Sequence, residues 1–280
     1  MINIYSLSQG GEREDQDSQK SLFKDIETKL HQEKSKHSFN TLLTDRDLKI
    51  LQFCSEMKFA SLEALFEKFF ALRIDGDPAS SVSWTRKRLS QLEKASFLKG
   101  VYSFSERQRY YTGTMKAYFA LKQVCTSQYL VRPTVGFDQR TFFHDKTVLL
   151  MRINFEKSHQ CQNWISERQI RGAKELNDWF GAGYVPDGIV HSSNGVRSAF
   201  ELEIAVKSKK RYSDKIKRYI KLLRNSNRSL IDLVHFVCAR DSVLEILKTE
   251  TRLYPDLFLI EPLSKYELLG KTNITNKKGN

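Results

Sequence analysis

The sequence predicts a mixed α/β fold, α+β overall, in two successive parts, and three observations carry that prediction. Three segments with helical spacing of apolar residues precede a pair of short strands between residues 44 and 112. Strands and helices alternate from about residue 144 onward. At 280 residues the chain exceeds the roughly 100–200 residues of a usual single domain. Hydrophobic residues at 40% and aromatics at 11% supply packed cores beside 28% charged residues, which excludes wholesale disorder. No run approaches the roughly 20 consecutive apolar residues of a membrane span. Met1-Ile2-Asn3-Ile4-Tyr5 lacks the basic-then-apolar layout of a secretion signal, so the expected location is the cytoplasm.

Residues 1–40 are polar, with Gly10-Gly11 and the acids Glu12, Glu14, Asp15 and Asp17, and read as a flexible tail. Within it Leu22, Phe23, Ile26 and Leu30 suggest a helix over Gln19–Glu33. Thr44 is placed to cap a first definite helix with Leu48, Ile50, Leu51, Cys54 and Met57 on its apolar face. Ala60-Ser61-Leu62 opens a second helix, and Gly76, Asp77 and Pro78 form a loop before a third over Ser81–Ala95. Phe97–Tyr102 and Arg109–Thr112 read as a hairpin across Ser105–Gln108. Three helices and a hairpin describe a winged helix-turn-helix over 41–131. A bridging helix over Met115–Val131 ends at Arg132-Pro133.

From 132 to 270 the pattern predicts a helix over His144–Phe155, a strand at Trp164–Ser166 and a helix near Arg168–Asp178. Strands at Tyr184–His191 and Arg197–Val206 follow, joined by Ser192-Ser193-Asn194-Gly195, whose Asn-Gly favours a tight turn. Then come a helix over Lys209–Leu223, a strand at Leu233–Cys238, a helix at Ser242–Thr249 and a strand at Leu257–Ile260. Residues 271–280 are expected to fray. Cys54, Cys125, Cys161 and Cys238 lie 36 or more residues apart, without the close pairs of zinc or redox sites, and read as reduced thiols.

Forty-six Lys and Arg against thirty-three Asp and Glu leave +13 at neutral pH, a field that attracts polyanions. Trp84, Arg86, Lys87, Arg88 and Gln91 on the third helix, with Lys99, Arg107 and Arg109 on the hairpin, are the candidate DNA contacts. Arg reads guanine and Gln adenine in a major groove; the alternative is a solvated basic face that meets protein. Between Lys207 and Arg228 ten basic residues face the single acid Asp214. Arg211, Lys215 and Arg218 share a helix face there and are candidates to hold phosphates.

Asp187, in Pro186-Asp187-Gly188, precedes Glu201-Leu202-Glu203 across the predicted hairpin. In a strand, positions 201, 203, 205 and 207 share one face. Glu201, Glu203 and Lys207 are therefore expected to project together while Phe200, Leu202, Ile204 and Val206 enter the core. Three converging carboxylates suit Mg²⁺, or Mn²⁺, which can activate water and neutralise a phosphate. Without a metal they need protons or a basic neighbour such as Lys207. The bland alternative is a turn followed by a solvent-facing Glu-x-Glu strand. His144 and His191 read as structural.

These residues resemble the PD-(D/E)xK nuclease superfamily, which places an Asp and a (D/E)-x-K pair on adjacent strands. Asp187 matches the first acid and Glu201 the second, but Glu203 stands where the pattern has Lys, and Lys207 comes four residues later. Glu167, in Trp164-Ile165-Ser166-Glu167-Arg168, resembles the accessory glutamate of that superfamily's first core helix. The order of landmarks from Thr44 to Ile260 is similar to the replication-relaxation family of plasmids and mobile elements. They include Tyr110-Tyr111-Thr112-Gly113 and His144-Asp145. The resemblance implies a DNA-binding protein acting in plasmid replication or mobilisation, with double-stranded DNA, a replication or relaxase protein and a second copy as candidate partners. Its candidate activity is Mg²⁺-dependent DNA cleavage by Asp187, Glu201, Glu203 and Lys207; the alternative is a regulator that binds DNA without cutting it.

Overall fold

A computed structural model describes residues 42–71, 82–124, 129–134, 136, 138–158, 160–181, 184–225 and 230–266. The tail 1–40 with its helix over Gln19–Glu33, the Gly76-Asp77-Pro78 loop, Cys125, Arg228 and the segment 271–280 lie outside the described residues.

Thr44 starts helix α1 (Asp45–Glu56) through a capping box. Its hydroxyl accepts from the Asp47 amide, and Asp47 Oδ2 accepts from the Thr44 amide at 2.8 Å. Ser61 caps α2 (Leu62–Phe69) through its hydroxyl alone, which accepts from the Ala64 amide at 3.1 Å, after a two-residue strand β1 (Ala60–Ser61) that the sequence pattern is too short to reveal. Helix α3 (Val82–Lys94) leads into β2 (Leu98–Ser103) and β3 (Gln108–Gly113), and these strands form an antiparallel sheet in the order β1-β3-β2. Helix α4 (Met115–Val124) is shorter than anticipated, since Val131 is not helical.

The second part begins with α5 (Phe142–Lys157) and β4 (Asn163–Ser166). The single helix expected near Arg168–Asp178 is two, α6 (Glu167–Gly172) and α7 (Lys174–Phe180), because Ala173 adopts an extended conformation between them. Then follow β5 (Gly188–His191), β6 (Arg197–Glu203), α8 (Lys209–Asn225), β7 (Leu233–Cys238), α9 (Asp241–Thr251) and β8 (Phe258–Pro262). The sheet order is β4-β5-β6-β7-β8. Strands β4, β5 and β6 are mutually antiparallel, whereas β7 and β8 add parallel to β6 through helical crossovers. At the β5-β6 turn Gly195 takes φ +85°, the conformation that Asn-Gly favours.

Both faces of the central strands β5, β6 and β7 are buried, while the edge strand β8 exposes Leu259. Phe200 and Leu202 face one core with Trp164, Val190 and the α5 residues Leu149, Leu150 and Met151, a core continuous with Ile50, Leu51 and Leu89 of the first part. Ala199, Ile189 and Phe236 face the other, under Tyr212, Ile216 and Tyr219 of α8. The residues from Leu43 onward cluster as one compact unit. Ion pairs also join its parts. Arg152 of α5 bridges Glu56 at 2.7 Å and Glu156 at 2.9 Å, and Lys146 reaches Glu106 of the β2-β3 turn at 2.6 Å. Cys54, Cys161 and Cys238 are buried and free, and burial pushes the Cys54 thiol up to about 12. No helix among the described residues is long and apolar enough to cross a membrane.

Strand β6 stops at Glu203, which corrects the extended reading through Val206. Ile204 is partly buried and Val206 is 54% exposed rather than in the core. Strand β5 likewise begins at Gly188, not Tyr184.

Candidate functional site

Gly188 of β5 pairs with Phe200 of β6, a register that brings Asp187 level with Glu201. Asp187 Oδ2 accepts the Leu202 amide at 2.8 Å, which ties the residue before β5 to the neighbouring strand. Glu201 and Glu203 share a face, as the alternation predicts, but that face lies beneath α8, where they are 6% and 1% exposed. Buried carboxylates cost several kcal/mol each unless paired, and here each is paired. Lys215 Nζ of α8 stands between them, 2.8 Å from Glu201 Oε2 and 2.8 Å from Glu203 Oε1. Tyr219, one turn further, donates its hydroxyl to Glu201 Oε1 at 2.5 Å. Lys207 reaches Glu203 Oε2 at 2.7 Å. It does so because the strand has ended and the chain has turned back; an extended strand would have carried it away.

Burial pushes the Glu201 carboxyl above its ordinary value, and the Lys215 ammonium opposes but does not cancel that rise. For Lys215 burial works downward and is outweighed by Glu201 and Glu203, which leave its pKa raised. The ammonium is held charged between its two acids.

His144, at the start of α5, is not among the candidate site residues of the sequence, where it reads as structural, yet it meets the acidic cluster. Its Nε2 lies 3.3 Å from Asp187 Oδ2 and 3.2 Å from the Leu202 carbonyl, and its Nδ1 lies 3.7 Å from Asp145 Oδ1. Burial would lower the imidazole pKa; Asp187 and Asp145 overcome it and hold the value at about 10, so the ring is an imidazolium at neutral pH. Reciprocally, burial would raise Asp187 and His144 keeps it low. Asp145 also accepts from Lys58 at 2.8 Å, and Lys58 lies 3.5 Å from Glu167. A narrow cleft lined by Lys58, His144, Asp145, Glu167, Arg168 and Asp187 results. His191, by contrast, lies at the far end of β5, level with Arg197, and takes no part in this cluster.

In this arrangement the carboxylates do not form a metal cage. The oxygens of Glu201 and Glu203 already accept from ammonium or phenol groups, and Asp187 Oδ2 accepts from a backbone amide beside an imidazolium. Among the described residues no three His, Cys, Asp or Glu side chains converge as a metal-holding group. A divalent ion between Glu201 and Glu203 would need the place that the Lys215 ammonium holds.

The basic surface lies elsewhere, on α3 and the β2-β3 hairpin. Leu89 and Leu92 anchor α3, while Trp84, at 68% exposure, and Arg86, Lys87, Gln91 and Lys94 face outward. Lys87 stands 5.5 Å over the Trp84 ring. Arg88 departs from the groove-reading role expected of it. Its Nε donates to Asp47 Oδ1 at 2.9 Å and its Nη2 to Asp47 Oδ2 at 2.5 Å, because Asp47, 1% exposed, needs a counter-charge. Its Nη1 donates to Gln91 Oε1 at 3.0 Å. On the hairpin, Lys99 and Arg107 are exposed, and Arg109 pairs with Glu93. The Arg109 guanidinium lies over Gly100, whose amide also donates to Glu93 Oε1 at 2.9 Å. At the tip Phe104 is 82% exposed and packs edge-on against Tyr102 at 5.6 Å.

The three phosphate-holding candidates of α8 separate. Arg211 is exposed. Lys215 is committed to the glutamates, and Arg218 lies 3.8 Å over the Tyr184 ring and donates to the Phe180 and Gly181 carbonyls. The apolar face of α8 draws both inward as it packs. Comparison with protein-family models, curated proteins and solved structures finds no match to this chain.

Proposed function

We propose that this chain is a cytoplasmic duplex-DNA-binding protein of the plasmid replication or mobilisation type, in which 41–131 is a winged helix-turn-helix and 132–270 a PD-(D/E)xK-like domain. The observation that carries the reading is the set of exposed cations on α3 and its hairpin, Arg86, Lys87, Lys94, Lys99 and Arg107, with Lys87 over the exposed Trp84 ring. The order of three helices and a hairpin supports the winged helix. For the second part, support comes from the antiparallel β4-β5-β6 meander extended by the parallel strand β7 through α8. Five phosphate contacts correspond to a salt slope near −4.5, a loss of about 500-fold in affinity between 50 and 200 mM salt.

The buried acidic cluster favours binding without cleavage, since its charges are mutually satisfied. The second reading, metal-dependent cleavage, is favoured by one observation: a lysine within 2.8 Å of Glu201 beside Asp187, so that α8 supplies the cation that the strand lacks. Supercoiled plasmid incubated with the protein in Mg²⁺, Mn²⁺ or EDTA separates the two. Retarded, intact plasmid in all three supports the binding protein. Nicked or linear product that needs metal and is absent with Asp187→Asn supports the nuclease. Failure to retard DNA at low salt overturns both.

A further inference from the structure

Helix α8 carries a second set of cations that the acidic cluster does not use. At 3.6 residues per turn, Lys210, Lys217 and Lys221 fall along one line of the helix, with Asp214 between them. That line lies opposite Tyr212, Ile216 and Tyr219, which are buried against the sheet. Among the described residues the ion pairs of α8 run through Lys209 and Lys215. Lys210, Lys217, Lys221 and the adjoining Arg211 are exposed. From Lys210 to Lys221 the helix rises about 16 Å, a length over which one strand of a duplex carries about five phosphates.

The packing order fixes where this line lies. Helix α3 rests on α2 and β2, and α2 rests on α5. Helix α5 covers one face of the five-stranded sheet and α8 the other. Between α3 and the α8 line lie α2, α5 and the sheet, roughly 30 Å of packed layers at about 10 Å each, while the hairpin turn meets α5 directly through Glu106 and Lys146, with α5 and the sheet between it and α8. A straight duplex seated on one surface does not reach the other, and a duplex reaching both must bend sharply against its own stiffness.

We propose that the lysine line of α8 is a second duplex-binding surface, so that one copy of the chain holds two DNA segments at once. The proposal rests on the DNA-binding reading of the α3-hairpin surface and extends it from binding to bridging. Charge complementarity selects the occupant: four exposed cations against one carboxylate, with no apolar side chain on the line, suit a phosphate backbone and offer no anchor for a protein partner.

The test immobilises one short duplex on beads, adds the full chain, and measures capture of a second, fluorescent duplex from solution. Wild type is expected to capture it. The variant Lys210→Glu, Lys217→Glu and Lys221→Glu is expected to remain on the bead duplex and lose capture of the second. Its exposed positions leave the core intact, which an unchanged melting temperature verifies. On a chain whose α3 surface is disabled by Arg86→Glu and Lys87→Glu, the remaining DNA binding should lose about 3 from its salt slope when the α8 lysines are also removed. Wild type that binds the bead duplex but captures nothing overturns the proposal and leaves the DNA-binding reading standing. So does capture that survives the α8 variant, which would assign bridging to paired copies with one surface each. Wild type that binds no DNA overturns both.

Discussion

Replacing Lys215 by Met removes a cation that touches two buried acids and keeps much of the side-chain volume. Glu203 is 1% exposed and Glu201 6%, so neither carboxylate gains solvent in exchange, and the Lys207 contact to Glu203 is the one ammonium left. Removing one partner of a buried pair costs about 3–5 kcal/mol, against about 0–1 kcal/mol for an exposed pair. For a folded unit of this size that corresponds to a fall of about 6–20 °C in Tm. The loss has a pH signature. Burial already raises the Glu201 carboxyl above its unfolded value, and losing the ammonium raises it further. A carboxyl with a raised folded pKa destabilises fully above that pKa and not at all below its unfolded value near 4.3. The gap between Lys215→Met and wild type should therefore be widest at pH 7 and narrow toward pH 5. Adding Glu201→Gln and Glu203→Gln should recover most of the loss. Urea unfolding followed by tryptophan fluorescence measures all three, and a loss below about 1 kcal/mol at pH 7, or one that is the same at pH 5, refutes the reasoning.

Arg88→Ala strips Asp47 of its guanidinium and is expected to cost about 1.5–3 kcal/mol, whereas Lys87→Ala should leave stability unchanged and lower the DNA salt slope by about 1; equal effects of the two on stability would contradict the inward placement of Arg88. Gly188→Ala puts a Cβ 2.7 Å from the Trp164 ring and should destabilise by about 1–3 kcal/mol with a shifted tryptophan emission, so a neutral variant would refute the close packing. His144 gains its proton partners on folding, so its contribution is fully present below its unfolded value near 6.5 and is lost as pH rises through about 10. The difference in urea midpoint between wild type and His144→Gln should therefore shrink from pH 7 to pH 10, and parallel curves would refute the ion pair with Asp187.

What the sequence makes legible is whatever is decided locally. The Thr44–Asp47 capping box, the Asn194-Gly195 turn and the shared face of Glu201 and Glu203 each depend on residues within a few positions. Which cation neutralises a buried acid depends on packing across tens of residues. Lys215 stands 12 and 14 positions from its glutamates, Arg88 41 from Asp47, and His144 58 from the Leu202 carbonyl it contacts. The recurrence of Lys215 and Tyr219 one turn apart after an acidic strand is a signal for part of the cluster. For His144 the signal is its place in the His144-Asp145 landmark, which does not say that the ring meets Asp187. Strand length fails for a related reason: alternation continues through Val206, but pairing stops where β7 ends its own register at Cys238 opposite Glu203.

Strand β6 is antiparallel to β5 on one edge and parallel to β7 on the other, so its two edges close over different lengths of chain. The β5-β6 hairpin closes through the tight turn at Asn194-Gly195, whereas β4 joins it across α6 and α7 and β7 waits for the chain to cross over through α8, both longer loop closures. Until α8 docks, Glu201 and Glu203 have no lysine between them, so a β5-β6 hairpin without α8 must stay hydrated on that face. Docking of α8 then expels the water and neutralises the acids in a single step. The contacts of Lys215 and Tyr219 with the strand acids thus tie the crossover helix to the hairpin.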